Sequence, residues 1–252
     1  MFRLDNKVAL ITGGARGLGL YIAQTYAEAG ANVVICSRNG EACKRVAKEI
    51  ANKYDIEAIG LTCDVTNNEN VEQLVKEAIQ QLGKIDILVN NSGASWAAPV
   101  EEMPIEAWYK VMNVNVTGTF LMSQTVGRQM IKQQSGKIIN IASVAGFGGT
   151  PSFMNTIGYN TSKGAIITFT KDLAVKWGKH NINVNAIAPG FFPTKMSKGL
   201  IDHAEKFIID KTPLRRLGTD QDLKGPALFF ASTASDYITG TILAVDGGTS
   251  AF

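Results

Sequence analysis

The sequence of 252 residues contains little of what marks a membrane-bound or nucleic-acid-binding protein. No apolar run approaches the roughly 20 residues that a transmembrane helix needs. The net charge is only +3, and lysine and arginine do not cluster into a basic patch. We therefore expect neither a membrane nor a nucleic acid as a partner.

Cysteine is also scarce. The three cysteines, Cys36, Cys43 and Cys63, are odd in number and lack the spacing of metal ligands, so we expect no bound metal. The opening residues MFRLDNKVALITGG carry charges where an export signal would be apolar. These features predict a cytoplasmic protein in which the cysteines are small apolar residues in a reducing environment.

Seven short runs rich in β-branched residues alternate with longer stretches of helical period. The runs are KVALIT (7–12), NVVICS (32–37), EAIGLTCDV (57–65), IDILVN (85–90), KIINIA (137–142), INVNAIA (182–188) and ILAVD (242–246). Apolar strands with helices between them indicate a parallel sheet covered on both faces. Because repeats and flexible linkers are absent from the pattern, it predicts a single α/β domain over residues 1–252.

Two helical stretches have recognisable ends. Residues 66–83 begin with capping residues and stop at Gly83, whereas residues 104–136 begin at a proline and run to the region of Gly136. Inside the second stretch, NVNVTG (113–118) consists of poor helix formers. Such a local conflict within a regular element marks a candidate functional segment.

A glycine-rich turn, TGGARGLG (12–19), joins the first strand to the first helix. Glycines let the backbone approach a ligand closely, and a helix N-terminus offers free N–H groups to a pyrophosphate. The spacing of Gly13, Gly17 and Gly19 differs from the G-x-G-x-x-G of ordinary dinucleotide folds. A tight connection without a ligand is the alternative, but the position of the turn favours a dinucleotide.

The end of the second strand indicates which dinucleotide. It carries Ser37 and Arg38 where NAD-binding units place an acid for the ribose 2′-hydroxyl. Arg16, within the glycine turn, can reach the same side, and a guanidinium matches phosphate geometry. These residues predict NADP(H). Glu41 is the nearest acid, and we expect it to lie in the following helix.

Tyr159 and Lys163, in GYNTSKGA (158–165), are four residues apart and would share one face of a helix. A free phenol, with a pKa of about 10, is too weakly acidic to act as a base near neutrality. A nearby ammonium and the positive ring of a bound nicotinamide would lower that pKa. Tyrosine and lysine occur at this spacing often by chance, so the pair needs support from the rest of the chain.

Eight motifs in order supply that support. They are TGGARGLG, CDV (63–65), NNSG (90–93), NVNVTG, INIASVAG (139–146), YNTSK (159–163), NAIAPGFFPT (185–194) and VDGG (245–248). On these motifs the chain resembles the short-chain dehydrogenase/reductase family over essentially its whole length. The resemblance implies a single-domain Rossmann fold, doubly wound around a mostly parallel seven-stranded sheet, and an enzyme that interconverts a ketone and a secondary alcohol. A non-catalytic NADP-binding sensor is an alternative, but such proteins typically lose the tyrosine or the lysine.

The resemblance also implies a catalytic set, which comprises Asn115, Ser143, Tyr159 and Lys163. Tyr159 would be the general acid/base, and Lys163 would lower its pKa and bind the nicotinamide ribose. Ser143 would hydrogen-bond the substrate oxygen. Asn115 would hold a water that links Lys163 to solvent.

The cofactor-binding residues implied by the resemblance fall into four groups, besides Ser37, Arg38, Tyr159 and Lys163. Phosphate contacts would come from Gly13, Arg16, Gly17, Leu18 and Gly19. Asp64 and Val65 would contact the adenine, and Asn91 with Gly93 would line the adjacent wall. The nicotinamide end would meet Pro189, Gly190, Phe192 and Thr194, with Thr194 bonding the carboxamide or the pyrophosphate.

The chain departs from the family pattern in two places. Ser92 stands where alanine is usual, and the segment between Ser143 and Tyr159 is a few residues longer than the common spacing. That segment would lie at the substrate mouth, with Phe147, Phe153, Met154 and Asn155 as specificity candidates, or it is a simple surface bulge. A substrate lid would span about 191–215, with Lys195, Lys198 and His203 as its polar candidates.

Two subgroups share the overall pattern. The preferred hypothesis is a gluconate 5-dehydrogenase-like enzyme that acts on a sugar acid or polyol, and the alternative is a 3-oxoacyl-acyl-carrier-protein or 3-oxoacyl-CoA reductase. The carrier protein would need a basic patch from Arg128, Lys132, Lys176 and Lys179, which Gln133, Gln134 and His180 dilute. The resemblance further implies a homotetramer with helices 104–134 and 157–178 between subunits and Trp108, Phe120 and Phe169 as candidate contacts.

Overall fold

The computed structural model describes residues 1–251 and is built around a sheet of seven parallel strands in the order β3-β2-β1-β4-β5-β6-β7. The strands are β1 (Val8–Thr12), β2 (Asn32–Ser37), β3 (Ala58–Thr62), β4 (Ile87–Asn90), β5 (Gly136–Ile141), β6 (Ile182–Pro189) and β7 (Ile242–Val245). Each of the seven predicted runs overlaps one strand, and the predicted doubly wound fold is confirmed.

Eight α-helices in the described residues cover the two faces of the sheet. They are α1 (Gly17–Glu28), α2 (Gly40–Tyr54), α3 (Asn68–Leu82), α4 (Ile105–Met112), α5 (Gly118–Gln133), α6 (Ile157–Trp177), α7 (Lys198–Lys211) and α8 (Asp220–Ala231). None of these helices within residues 1–251 is long and apolar enough to cross a membrane.

Successive strand residues point into two separate apolar clusters, as the period of a strand requires. Ala9 and Ile11 of β1 pack in the cluster that contains Tyr26 of α1 and Phe230 of α8. Their neighbours Val8 and Leu10 pack in the cluster of α3, α5 and α6. Because β1 is buried on both sides, its sequence is apolar throughout rather than alternating.

The chain reverses its direction of winding between β1 and β4, which are neighbours in the sheet. In sheets of this kind, ligands bind in the crevice outside the carboxyl ends of the strands at such a reversal. The predicted site residues follow the carboxyl ends of β1 to β6 or lie on α1, α6 and the segment after α4, and so gather along one edge.

The long helical stretch after Pro104 differs from the prediction in two respects. It is interrupted by a π-helical turn at Asn113–Thr117, which lies within the segment that the sequence marked as poor helix material. It also ends at Gln133, with Gln134 in the left-handed conformation, and Gly136 already belongs to β5.

The apolar residues proposed for subunit contacts are not equivalent. Phe120 is exposed on α5. In contrast, Phe169 packs against the apolar cluster of α3, α5 and α6, and Trp108 lies beside Gly158 of α6. The homotetramer stays a prediction, with Phe120 as the one candidate of the three that is available at the surface.

The end of α3 allows a test of the left-handed backbone conformation that the structure gives Gly83. Gly83 has φ of +80° with open space around it, so Gly83→Ala is expected to lower the free energy of unfolding by about 1 kcal/mol through backbone strain alone. Gly178, after α6, has φ of −55° and equally open space. There alanine should raise the free energy of unfolding by roughly 0.4–1 kcal/mol. Urea unfolding of both variants measures the difference, and a shift of the same sign in both would contradict it.

Candidate active site

The glycine turn is held in place by side chains from the neighbouring strand end. The Asn91 Nδ2 donates to the carbonyl oxygens of Thr12 and Gly13, at 2.9 and 3.3 Å. The backbone N–H groups of Asn91 and Ser92 both donate to the Thr12 Oγ1, at 3.0 and 2.9 Å. Asn91 therefore shapes the turn with its side chain, in addition to lying beside the crevice.

The glycines are needed for two different reasons. Gly13 and Gly17 have φ of +66° and +56°, which glycine adopts without strain. At Gly19 a Cβ would lie 2.4 Å from the Asn91 Nδ2 and 2.5 Å from the Gly13 carbonyl oxygen, so no side chain fits. Neither a side-chain cap nor an acidic residue occupies the first turn of α1, which begins at Gly17 and Leu18. This cradle suits a phosphate group.

Arg16, within the glycine turn, and Arg38, directly after β2, are both exposed and make no salt bridge within residues 1–251. Ser37 is already engaged, since its Oγ contacts the Asn39 backbone and lies 3.1 Å from the Cys43 sulfur. As predicted, Glu41 lies in α2, where it also pairs with Lys44 at 2.9 Å. The guanidinium groups of Arg16 and Arg38 are thus free to bind an anion.

Asp64 and Val65 have partners of their own. The carboxylate of Asp64 accepts hydrogen bonds from the Thr66 N–H and Oγ1, at 3.0 and 2.7 Å. These bonds are the main reason that the pKa of Asp64 lies below its usual value. Val65 is buried against Gly118, where a Cβ would come within 2.7 Å of it. Both residues shape the entrance to α3 and α5.

Asn115 lies in the π-helical turn and is almost completely buried. Its Oδ1 accepts the Ala94 N–H at 2.7 Å, and its Nδ2 donates to the Ala94 carbonyl at 3.0 Å and to the Ser162 Oγ at 2.8 Å. Ser162 in turn donates to the Tyr159 carbonyl at 2.7 Å. The side-chain amide therefore ties α6 to the loop after β4, and its two N–H groups both have protein partners.

Ser143 follows β5 and opens a short 3-10 turn at Val144–Gly146. This turn lies directly against α6, because a Cβ on Gly146 would come within 2.6 Å of the Lys163 carbonyl carbon. Gly146 thus permits the close approach that brings Ser143 beside Tyr159. Gly146 belongs to the motif INIASVAG, but its role becomes visible only where α6 packs against it.

Lys163 is buried, and its Nζ donates to the Ile141 carbonyl oxygen at the end of β5 at 2.6 Å. The same ammonium lies 5.6 Å from the centre of the Tyr159 ring. Burial lowers the pKa of Lys163 to about 8. The predicted stacking of the two side chains on one face of α6 is confirmed.

The pKa of Tyr159 differs from the expectation. Burial raises it above the ordinary value of a phenol, and the hydrogen-bonding Ser143 hydroxyl acts in the opposite direction without cancelling the effect. The sequence predicted a pKa lowered by Lys163. In the protein without ligands, loss of solvation is the larger effect.

The loop after β6 carries the last predicted contacts. Thr194 lies across from the glycine turn, with its Cγ2 3.7 Å from the Cβ position of Gly17. Pro189 ends β6, and Gly190 passes so close to Asp246 that a Cβ would lie 2.8 Å from the aspartate Cβ. Phe192 is buried against Gly218 in the apolar cluster that contains Tyr26 of α1. Its side chain therefore belongs to the core, and only its backbone can face a ligand.

Residues of the predicted lid contact both the site and the longer segment. The Met196 Cε lies 3.9 Å from the Cβ position of Gly93, whose other neighbour is the Asn115 side chain. Lys198 is neutralised by Asp202 at 2.6 Å, whereas Lys195 is exposed. Phe153 packs edge-on against Phe207 of α7.

Comparison with known proteins agrees with this geometry. The family model described as Enoyl-(Acyl carrier protein) reductase matches residues 13–250. The 3-oxoacyl-acyl-carrier-protein reductase FabG of Aquifex aeolicus is 40% identical over 246 residues, which cover 98% of this chain and 98% of that protein. The 2-dehydro-3-deoxy-D-gluconate 5-dehydrogenase of Dickeya dadantii is 43% identical over 252 residues, covering 98% and 96%.

Among solved structures, a gluconate 5-dehydrogenase from Burkholderia cenocepacia in complex with NADP and tartrate superimposes with a TM-score of 0.95. It is 38% identical, and the match covers 100% of this chain and 98% of that one. The matching family model and full-length relatives establish that this chain belongs to the short-chain dehydrogenase/reductase family and is an oxidoreductase, as its ordered motifs predicted.

Proposed function

We propose that the chain uses NADP(H) to interconvert a ketone and a secondary alcohol on a small sugar acid or polyol such as gluconate and 5-ketogluconate, with Tyr159 as general acid/base. The observation that carries the proposal is the arrangement on α6. A buried ammonium is anchored on the Ile141 carbonyl and lies 5.6 Å from the Tyr159 ring, beside a hydroxyl from Ser143.

The cofactor would lie along the carboxyl ends of the strands. The cradle of Gly13, Gly17, Leu18 and Gly19 suits its phosphates, and Arg16 with Arg38 suits a ribose 2′-phosphate. Asp64, Val65 and Gly93, with Asn91, would line the adenine side, and Pro189, Gly190, Phe192 and Thr194 the nicotinamide side. When bound, the nicotinamide supplies or accepts the hydride.

The protein must then manage one proton. Because the pKa of Tyr159 is raised, the phenol is protonated near neutrality, which is the form that donates to the carbonyl oxygen during reduction. Ser143 would donate a hydrogen bond to the same oxygen as charge develops on it. Lys163, whose pKa of about 8 keeps it mainly protonated at pH 7, would stabilise the tyrosinate left behind. Oxidation of the alcohol reverses each step.

The surface favours a small substrate over an acyl carrier protein. Within the basic patch required for a carrier protein, Arg128 lies 3.8 Å from Glu72 and Lys176 pairs with Asp172. At the ends of α5 and α6, Gln134 and His180 are hydrogen-bonded to each other at 3.2 Å. Two of these four basic residues are therefore already paired, which weakens the patch that an acidic carrier protein needs, whereas exposed Lys195 near the site can attract a substrate carboxylate.

The test of this proposal is the loss of NADPH absorbance with a panel containing 5-ketogluconate, acetoacetyl-CoA, acetoacetyl-acyl-carrier protein and simple diketones. We expect turnover of 5-ketogluconate and little with the thioesters. Tyr159→Phe should lower kcat by about 10²–10⁴-fold because it removes the proton donor, while NADPH still binds. Tyr109→Phe, on exposed α4, is the matched control and should keep full activity.

Three outcomes would contradict parts of this proposal. Preference for the thioesters would establish the reductase alternative. A Tyr159→Phe variant with normal kcat would exclude the proposed acid/base. Tight NADPH binding without turnover of any ketone would favour the sensor.

The cofactor preference depends on Arg38 and can be tested separately. Arg38→Ala is expected to raise the Kd for NADPH by about 10–100-fold, the worth of a charge-assisted hydrogen bond, and to leave the Kd for NADH unchanged. Arg45→Ala is the control, because Arg45 is also exposed but lies further along, in α2. Fluorescence titration measures all four constants, and an equal loss for both cofactors would show that Arg38 does not read the 2′-phosphate.

The position of Ser143 depends on Gly146. Gly146→Ala is expected to lower kcat by about 10–100-fold, because the added Cβ would push the 3-10 turn and Ser143 away from α6. Gly148→Ala serves as control, since nothing lies within 4 Å of a Cβ there. Steady-state kinetics on both folded variants makes the comparison, and equal kcat values would exclude this role for Gly146.

A further inference from the structure

We propose that Phe153 is a positioning residue that latches the lid helix α7 through Phe207 and thereby sets substrate affinity. The inference rests on the proposed function, since the lid matters only where a substrate is turned over. Residues 147–156, between the 3-10 turn and α6, are called the inserted segment below, and Phe153 lies near its end.

The contact itself is specific. The Phe153 and Phe207 rings have centroids 5.1 Å apart and planes at 88°, which is the edge-to-face arrangement that aromatic pairs favour. Phe153 and Phe207 nevertheless remain 48% and 39% exposed. The pair is therefore a surface clasp between two elements and not part of either apolar cluster.

The inserted segment is fixed to the body of the protein on both sides of the clasp. Thr150 accepts a hydrogen bond from the Asn160 Nδ2 of α6 at 2.9 Å. The Asn155 carbonyl accepts the Ala98 N–H from the loop after β4 at 2.9 Å. These bonds fix the segment to α6 and to the loop after β4 on both sides of Phe153, so it can hold α7 in place.

The lid helix has a built-in break. Ala204 has φ of −131° and ψ of 18°, so α7 consists of two helical halves joined at a non-helical residue. The second half carries Phe207 and the buried Ile208. A cavity of about 300 Å³ lies at this break, between Phe153, His203, Lys206 and Phe207. The break and the adjoining space allow the halves to change their angle when the clasp opens.

Movement of α7 would reach the substrate side directly. Met196, just before α7, lies over Gly93 and hence next to Asn115. The Ser197 side chain just before α7 is bonded to Thr194 and to the Phe192 carbonyl. The contact between Phe153 and Phe207 lies towards the C-terminal end of α7, and Met196 precedes its N-terminal end. The helix thus connects this contact to residues that line the site.

The test combines kinetics with native-state proteolysis. Phe153→Ala and Phe207→Ala should each raise KM for the ketone substrate about two- to tenfold, the worth of an aromatic pair, with kcat changed less than twofold. Each should accelerate tryptic cleavage at the exposed sites Lys206, Lys211 and Arg215 by a similar factor. The double variant should be no worse than either single variant, and Phe153→Tyr, which retains the ring, should behave as wild type.

Phe2→Ala is the matched control, because Phe2 is 49% exposed and lies at the N-terminus, outside the lid and the inserted segment. It should change neither measurement. Additive effects of the two alanines, or unchanged cleavage in both, would overturn the proposal. If the wild-type protein turns over no ketone, the proposed function fails, but the cleavage rates still decide whether Phe153 holds α7.

Discussion

The site depends on one buried charge, the Lys163 ammonium bonded to the last carbonyl of β5. Removing an ammonium from water is costly unless it is hydrogen-bonded, so this bond determines where the side chain can lie. Since Tyr159 is one turn away on the same helix, the strand end also determines the position of the phenol. The sheet therefore positions the reacting groups through a backbone atom, independently of the side chains of β5.

The electrostatics follow from the same burial. Loss of solvation favours the neutral forms of both groups, which lowers the pKa of Lys163 to about 8 and raises that of Tyr159. The site thus holds a protonated phenol beside an ammonium that is still mainly protonated at pH 7. A positive nicotinamide ring beside the phenol would favour tyrosinate, which is the form that oxidation requires.

Buried amides hold the surrounding frame together. Asn90 at the end of β4 donates to Asn140 of β5 and to Ser123 of α5, both at 2.9 Å, and Asn140 donates to Thr170 of α6 at 2.9 Å. The next residue, Asn91, organises the glycine turn. Neighbouring residues of one strand end thus connect the phosphate cradle to the helix that carries Tyr159 and Lys163.

The sequence predicted those features of the fold and the site that depend on residues close together in the chain. The seven strands, the stop at Gly83 and the shared face of Tyr159 and Lys163 follow from periodicity, glycine conformation and helix geometry. The π-helical turn was marked only as poor helix material, because its form depends on Asn115 reaching Ala94 and Ser162 in other elements.

Contacts between residues distant in sequence also explain the other differences between the predicted and the observed site. Phe192 became a core residue because Gly218 leaves room for its ring, and the importance of Gly146 arises only when α6 packs against it. The pKa of Tyr159 was misjudged for a related reason. Spacing reveals a neighbouring charge, but the degree of burial is a property of the whole fold.

The same reasoning explains why substrate choice is separable from catalysis in this chain. The proton-handling groups and the cradle lie on α6, the strand ends and the first turn of α1, which pack against the sheet. The residues expected to contact a substrate lie on the inserted segment and on α7, which is broken at Ala204 and joined to the body through few contacts. Changes in those two segments can alter the shape of the substrate side while the bond between Lys163 and Ile141 remains intact. Proteins that match this chain over nearly its whole length do carry names as different as gluconate 5-dehydrogenase and 3-oxoacyl-acyl-carrier-protein reductase.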